Sequence, residues 1–268
     1  MHVFAALSTL LLATNAGYAI GHKRSAGQGY SNGNKFSGVA RSASTGDFYP
    51  NKCAYNDFSS VIVPAAESRF AYVTSAYWSK DLPCGRCANV TVAPADDPQY
   101  AMPNSTVTVM LISQFDETCT SDDGTECVGD LLLSTQAYRE MLNGGTGSRF
   151  DVNWELVKCP DDFVRGGVEF AFGDGTSANM LTVQPRNFHG QIASLEVKFD
   201  DGSRYPFGAP GQDTTGSYRM VLAPKKDGLD FSKPFTLVAT QAISGYSIEV
   251  KVDELPEASL VVVTDAQF

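Results

Sequence analysis

Residues 150–157, FDVNWELV, alternate between apolar and polar side chains, a period of two that predicts a strand with one buried face. The same alternation fills residues 192–199, IASLEVKF, and runs into Asp201-Gly202, a pair suited to a tight hairpin turn. Shorter β-branched runs at 61–63, 89–92 and 106–113 lie between Gly, Pro or Asp residues and read as further strands. From about residue 165 the pattern is strand and turn only. Runs at 168–172, 218–222, 235–240 and 246–252 have the spacing of a small sandwich. One segment reads as a helix: residues 134–142, STQAYREML, open on a serine cap and stop at Asn143-Gly144-Gly145. The stretch SAYWSKD, residues 75–81, reads as a loop.

Composition narrows this to a globular chain of one large or two small domains over 268 residues. The net charge of −10 argues against a nucleic-acid partner, because phosphate binding needs a basic face. Residues 1–19 hold an apolar run from 3 to 13 followed by the small residues Gly17 and Ala19, the pattern of a signal peptide cut after Ala19. That run is too short to span a bilayer, so secretion is expected and membrane anchoring is not. Residues 20–36, rich in Gly, Ser and Asn, read as a flexible arm with a dibasic pair at Lys23-Arg24.

Two sequons, at Asn89 and Asn104, and an even number of cysteines agree with an oxidising compartment. The cysteines are Cys53, Cys84, Cys87, Cys119, Cys127 and Cys159. Cys84 and Cys87 have a metal-like spacing, but no second cysteine or histidine pair exists to complete a zinc site. His189 is the only histidine beyond the leader region. Three structural disulfides and no metal or cofactor are expected. Spacing leaves the pairing open. Cys119–Cys127 is a reasonable short closure, with the other four unassigned. All six lie between 53 and 159, which predicts a stapled domain over 37–161 and an unstapled one over 165–268.

The ordered stretches GDLLLSTQAY (129–138), DVNWELVKCP (151–160) and QPRNFHGQIASLEVKFDDG (184–202) resemble the microbial expansins. There the corresponding stretches run approximately GDLDLS, a strand ending RLVxCP, and VRNHxxPIASLEY. The resemblance covers about residues 37–255. It implies a six-stranded double-psi β-barrel followed by an immunoglobulin-like β-sandwich that binds carbohydrate. It also implies a secreted protein, expected as a monomer, that binds cell-wall polysaccharide (cellulose, xylan or a related β-glucan) and loosens it without hydrolysis.

Two functional aspartates of that family have no counterpart here. VTVMLISQF places Ser113 at the first, and GDLLLS places Leu132 at the second, the one related to the general acid of family-45 endoglucanases. Hydrolysis of a glycosidic bond normally needs two flanking carboxylates. The acids near this position are Asp130, Asp116 and Glu117. Asp130 would share a strand face with Leu132 and so could enter the groove and partly substitute for the lost acid, while the plainer reading makes it part of an acidic surface turn. Arg41 and Ser42 stand where the family has hydroxyl residues at the groove end, with only Ser42 keeping a hydroxyl, and Trp78 is a candidate sugar-facing indole. On the carbohydrate platform, Asn179 and Met180 stand where the family has paired aromatics, with Tyr218 and Tyr205 as further candidates. Tyr218 and Tyr205 also fit a sandwich core. These losses leave two rivals: a secreted effector or interaction protein on an altered scaffold, and an endoglucanase-like hydrolase.

Overall fold

The computed structural model describes residues 35–43, 52–53, 55, 63–81, 83–94, 105–115, 128–143, 149–207, 218–221, 229–242, 244–257 and 260–268. Six strands close into a barrel: β1 (Lys35–Ser42), β2 (Phe70–Thr74), β3 (Cys87–Val92), β4 (Thr106–Phe115), β5 (Leu131–Leu133) and β6 (Arg149–Val157). Their spatial order is β1-β5-β2-β4-β3-β6. β1 with β5 and β2 with β4 are parallel, and the remaining neighbours are antiparallel. This is the double-psi barrel that the resemblance implied.

Alternation decides what fills it. Ala40, Ala71, Val73, Leu111, Leu131 and Leu133 point inward and are fully buried. A short helix α1 (Pro64–Ser68) precedes β2, with Val63 as its N-cap and a proline in its first turn. Helix α2 (Ser75–Asp81) sets Tyr77 edge-on to Trp154 at 5.4 Å and to Phe36 at 5.0 Å. Phe36 in turn stacks on Trp154 at 3.9 Å. Helix α3 (Thr135–Leu142) brings Tyr138 to 5.1 Å from the Phe150 ring. It ends on Asn143 in the left-handed region (φ 44°), as its sequence predicts.

Three local expectations change. β1 starts at Lys35, two residues inside the predicted arm, because Phe36 is a core residue. SAYWSKD is helix rather than loop, and the Thr74 hydroxyl oxygen accepts the Tyr77 N–H at 3.4 Å. Of the run 61–63, Val63 caps α1 and the other two residues lie outside the described set.

The second group of strands forms two four-stranded sheets. β7 (Glu169–Phe172), β8 (Met180–Arg186), β11 (Tyr218–Val221) and β14 (Val261–Val263) make one, in the order β11-β8-β7-β14. β9 (Ile192–Phe199), β10 (Arg204–Pro206), β12 (Phe235–Gln241) and β13 (Ser247–Val252) make the other, ordered β10-β9-β12-β13. Phe170, Phe172, Val183, Val197, Phe231 and Leu237 form a core distinct from that of the barrel. Gly202 turns the β9–β10 hairpin at φ +84°, and Asp201 Oδ1 accepts the Ser203 N–H at 2.8 Å. Pro185 pairs with Phe170 of β7, and among the described residues the β11 pairing begins at Tyr218 opposite Val183.

Two disulfides join Cys53 to Cys84 and Cys87 to Cys159. These are the four cysteines that a Cys119–Cys127 closure leaves over. Cys119 and Cys127 themselves, with residues 1–34, lie outside the described residues. No described helix is long and apolar enough to cross a membrane.

Candidate functional site

The stretch GDLLLS resolves residue by residue. Gly129 lies against the backbone of Ser37 and Gly38, where a Cβ on either glycine would overlap main-chain atoms of the crossing strand. Its carbonyl accepts the Trp154 indole N–H at 2.8 Å. Asp130 is 6% exposed, and its Oδ1 accepts the Val39 N–H at 2.8 Å. Leu131 and Leu133 fill the barrel, while Leu132, partly exposed, faces outward. Ser134 caps α3 by accepting the Ala137 N–H at 3.2 Å, and its hydroxyl donates to the Ser68 carbonyl at 2.6 Å. Asp130 is therefore no surface turn, which corrects the plainer sequence reading. It is a buried acceptor that holds β1 to the segment entering β5.

Register places Leu132 and Ser113 on either side of Tyr72. Leu132 is opposite Arg41 on β1 and opposite Tyr72 on β2, and Tyr72 is opposite Ser113 on β4. On β1's other side Arg41 faces Arg149 of β6. The result is one row, Arg149–Arg41–Leu132–Tyr72–Ser113, across the outer face of five neighbouring strands. At the usual strand spacing it is roughly 19 Å long. A bulge between Ala71 and Tyr72 in the β2–β4 register is what brings Ser113 into this line. Ser113 is buried, and its Oγ accepts the Lys52 N–H at 3.1 Å. Leu132, Tyr72 and Arg41 are partly exposed, and Arg149 is exposed. The row is covered at its serine end and opens toward the arginines.

The other barrel candidates do not join this row. Ser42 has the opposite parity to Arg41 and ends β1 with its hydroxyl 3.4 Å from the Ala43 carbonyl. Trp78 is 6% exposed and packs into the barrel core from α2, so it offers no sugar-facing indole. Asp116 and Glu117 lie outside the described residues.

Nor do the platform candidates gather on one surface. Asn179 is exposed in the turn before β8, and Met180, the first residue of β8, is half-buried opposite Val221. Tyr218 pairs with Val183, a core position of the sandwich, and so takes a register different from that of Met180. Tyr205 belongs to the other sheet, where its ring packs edge-on to Phe199 at 6.0 Å. Asn89 sits on the outer face of β3, with its Oδ1 accepting the Thr108 hydroxyl at 2.7 Å, and Asn104 lies outside the described residues.

The Arg186-Asn187 pair serves the junction between barrel and sandwich. Arg186, 2% exposed, lays its guanidinium over the Tyr55 ring at 5.0 Å and donates from Nε to Gln184 Oε1 at 2.6 Å. Gln184 Nε2 donates to the Cys53 carbonyl at 2.7 Å. Arg86, between the two disulfides, donates to Gln191 Oε1 at 2.9 Å. Asn187 adopts φ 53° and grips the connecting segment through Arg165 and Gly167. His189 bonds the Cys159 carbonyl through Nδ1 at 2.6 Å, and its own carbonyl accepts the Cys159 N–H at 2.7 Å. Glu169, buried and opposite Arg186, has its carboxyl pushed above the usual glutamate range by burial, which Arg186 opposes in part. This junction is invisible to sequence reasoning, because pairing Gln184 with Cys53 needs both folds at once. Among the described residues no three His, Cys, Asp or Glu side chains gather as a metal site.

No family model matches the sequence. No curated protein matches it either. Solved structures do match. The apo expansin of Clavibacter michiganensis is similar over 87% of this chain and 97% of its own, at a TM-score of 0.60 and 20% identity. An aspartate-to-asparagine mutant of the Clavibacter michiganensis expansin, in complex with cellohexaose, matches with the same coverage at a TM-score of 0.59 and 22% identity. A family-45 endoglucanase in complex with cellobiose covers 50% of this chain and 86% of its own at 16% identity. Its TM-score of 0.35 supports no residue correspondence. At these identities the likeness is one of fold. This chain has the barrel-and-sandwich architecture of an expansin.

Proposed function

We propose that this chain is an extracellular expansin-like protein that binds cell-wall polysaccharide of the cellulose or hemicellulose class and loosens it without cutting it. The barrel, over residues 35–161, would offer the polymer its outer face along Leu132 and Tyr72, with the sandwich over 165–268 as the second binding module. Such an activity rests on binding energy. Aliphatic and aromatic surface competes with polymer–polymer contacts for the CH faces of the sugars.

The observation that carries the reading is the row itself, in a fold shared over 87% of the chain with expansins, one of them solved with cellohexaose. Leu132 and Ser113 occupy the two places where the family has its functional aspartates. Asp130, two residues before Leu132 in the chain, is buried and engaged with Val39. A hydrolytic pair needs one carboxyl on each side of the scissile bond, which argues against the endoglucanase alternative. His189 is no base for Ser113, since its ring bonds the Cys159 carbonyl at the junction. The run at 3–13 and the two disulfides support secretion.

A second reading has its own observation. Trp78 and Trp154 are buried, and the platform candidates are split between two sheets, as expected if the scaffold now recognises a protein. Pull-down of the secreted chain on microcrystalline cellulose, xylan and chitin separates the two. Retention on cellulose or xylan, with extension of wall strips under load and no new reducing ends, is the expected result. Failure to bind any of the three glycans at any salt concentration would leave the interaction-protein reading.

A further inference from the structure

We infer that the turn between β12 and β13 holds a sugar subsite, in which the Tyr246 ring lies on the C–H face of one pyranose unit and the Gln241 amide donates to its hydroxyls. This rests on the polysaccharide-binding reading and adds a contact on the sandwich, where the platform candidates do not gather on one surface. Tyr246 is 56% exposed, whereas every other aromatic among the described side chains is buried or half-buried. Among the described residues its side chain makes no hydrogen bond and no ring contact. A single exposed ring on a surface needs no explanation by itself. What sets this one apart is the group beside it and the turn that holds both.

Gln241 and Tyr246 flank the turn one step beyond the Thr240–Ser247 pair of the hairpin. The Gln241 N–H donates to the Tyr246 carbonyl at 2.9 Å, and the Gln241 carbonyl accepts the Gly245 N–H at 3.1 Å. Alternation sets both side chains on one face, with Cβ atoms about 5 Å apart. Gly245 turns the chain at φ +66°, and Ser244 Oγ accepts the Tyr246 N–H at 3.1 Å while donating to Gln241 Oε1. With its oxygen so engaged the Gln241 amide is fixed in orientation, and its Nε2 donates to no group among the described residues. That nitrogen lies over Gly190, where a Cβ would stand 2.3 Å away. Ala242 donates its N–H to the Gln191 carbonyl at 2.8 Å, and Gln191 Oε1 accepts from Arg86 of the barrel at 2.9 Å. The turn is thus braced at the barrel end of the sandwich, and a ligand meets an ordered site rather than a loose loop. An apolar ring face beside a fixed amide donor matches a pyranose, which has C–H bonds on its faces and hydroxyls at its edge. Ring and amide are both uncharged, which suits a neutral glucan or xylan unit.

The test titrates cellohexaose and xylohexaose against the mature secreted chain and measures retention on cellulose and xylan. The wild type is expected to bind at least one of the two hexamers. Tyr246→Ala should lose about tenfold of that affinity, and Tyr246→Phe, which keeps the ring, should stay within about twofold. Gln241→Glu keeps the oxygen that Ser244 needs but removes the amide donor, and should lose about threefold or more. Because the ring is exposed and unpartnered, Tyr246→Ala should melt within about 2 °C of wild type. A Tyr246→Ala variant that binds like wild type overturns the inference and leaves the polysaccharide-binding reading standing. An equal loss in Tyr246→Phe overturns it too, since the hydroxyl and not the ring would then carry the contact. A loss that goes with a markedly lower melting point counts against it in the same way, as a structural effect. A wild-type chain that binds neither hexamer and neither solid glycan removes the inference and that reading together.

Discussion

Asp130 gives the sharpest test of how this barrel has been rebuilt. Its Oδ1 accepts the buried Val39 N–H at 2.8 Å, so removing the acceptor leaves a main-chain donor unsatisfied inside the fold. Losing that hydrogen bond and leaving the donor unsatisfied costs about 2–3 kcal/mol, the expected effect of Asp130→Ala. Asp130→Asn keeps an oxygen where Val39 needs it and should cost about 1 kcal/mol or less. With roughly 3–4 °C per kcal/mol in a domain of this size, the alanine variant melts about 6–12 °C low and the asparagine variant near wild type. Thermal unfolding by circular dichroism reads both, with cellulose retention and wall extension measured on the same preparations. The account expects function to follow stability, with the asparagine variant still binding. An alanine variant that melts with wild type would refute the structural role. An asparagine variant of wild-type stability that no longer loosens wall would make Asp130 a groove residue.

Other expectations follow from the same contacts. Glu169→Gln should melt above wild type at neutral pH, because burial raises the folded-state pKa of this carboxyl and its ionised form opposes folding. Stability contributed by a raised acid is complete below the ordinary glutamate range and is lost as pH rises through the raised value. The advantage of the variant should therefore shrink to nothing as pH falls below that range, and an advantage growing toward acid pH would contradict the assignment. Gly129→Ala should prevent secretion of folded protein or lower the melting point steeply, since its Cβ would overlap the Ser37 carbonyl; near-wild-type expression and melting would count against that crossing. Replacing Cys87 and Cys159 together by serine should cost about 4 kcal/mol from loop entropy over a separation of 72 residues, read as a shift in denaturant midpoint.

Strands that face water on one side were legible, and β8, whose two faces both meet protein, was not. FDVNWELV and IASLEVKF carry their alternation in a few adjacent residues, and both form as predicted, as β6 and β9. The Ser134 cap and the Asn143 stop are equally local, and α3 begins and ends where they fall. In β8 the outward residues Gln184 and Arg186 are buried at the junction, so polarity there no longer marks solvent. α2 has seven residues, too few to display a helical period against the aromatic pair Tyr77-Trp78. Within the candidate site, the resemblance singled out Leu132 and Ser113 one at a time. What it could not supply is register. Only the closed barrel shows that Tyr72 lies between those two positions, that Arg41 rather than Ser42 extends the row, and that Arg149 completes it.

The most direct trial of the central claim is to incubate the purified secreted chain with cellohexaose and with cellulose, and to follow bound protein and new reducing ends together. The account predicts saturable retention on the solid glycan, with cellohexaose recovered at full length after prolonged exposure. Appearance of cellobiose or cellotriose, abolished by substituting a single acid of the chain, would contradict it.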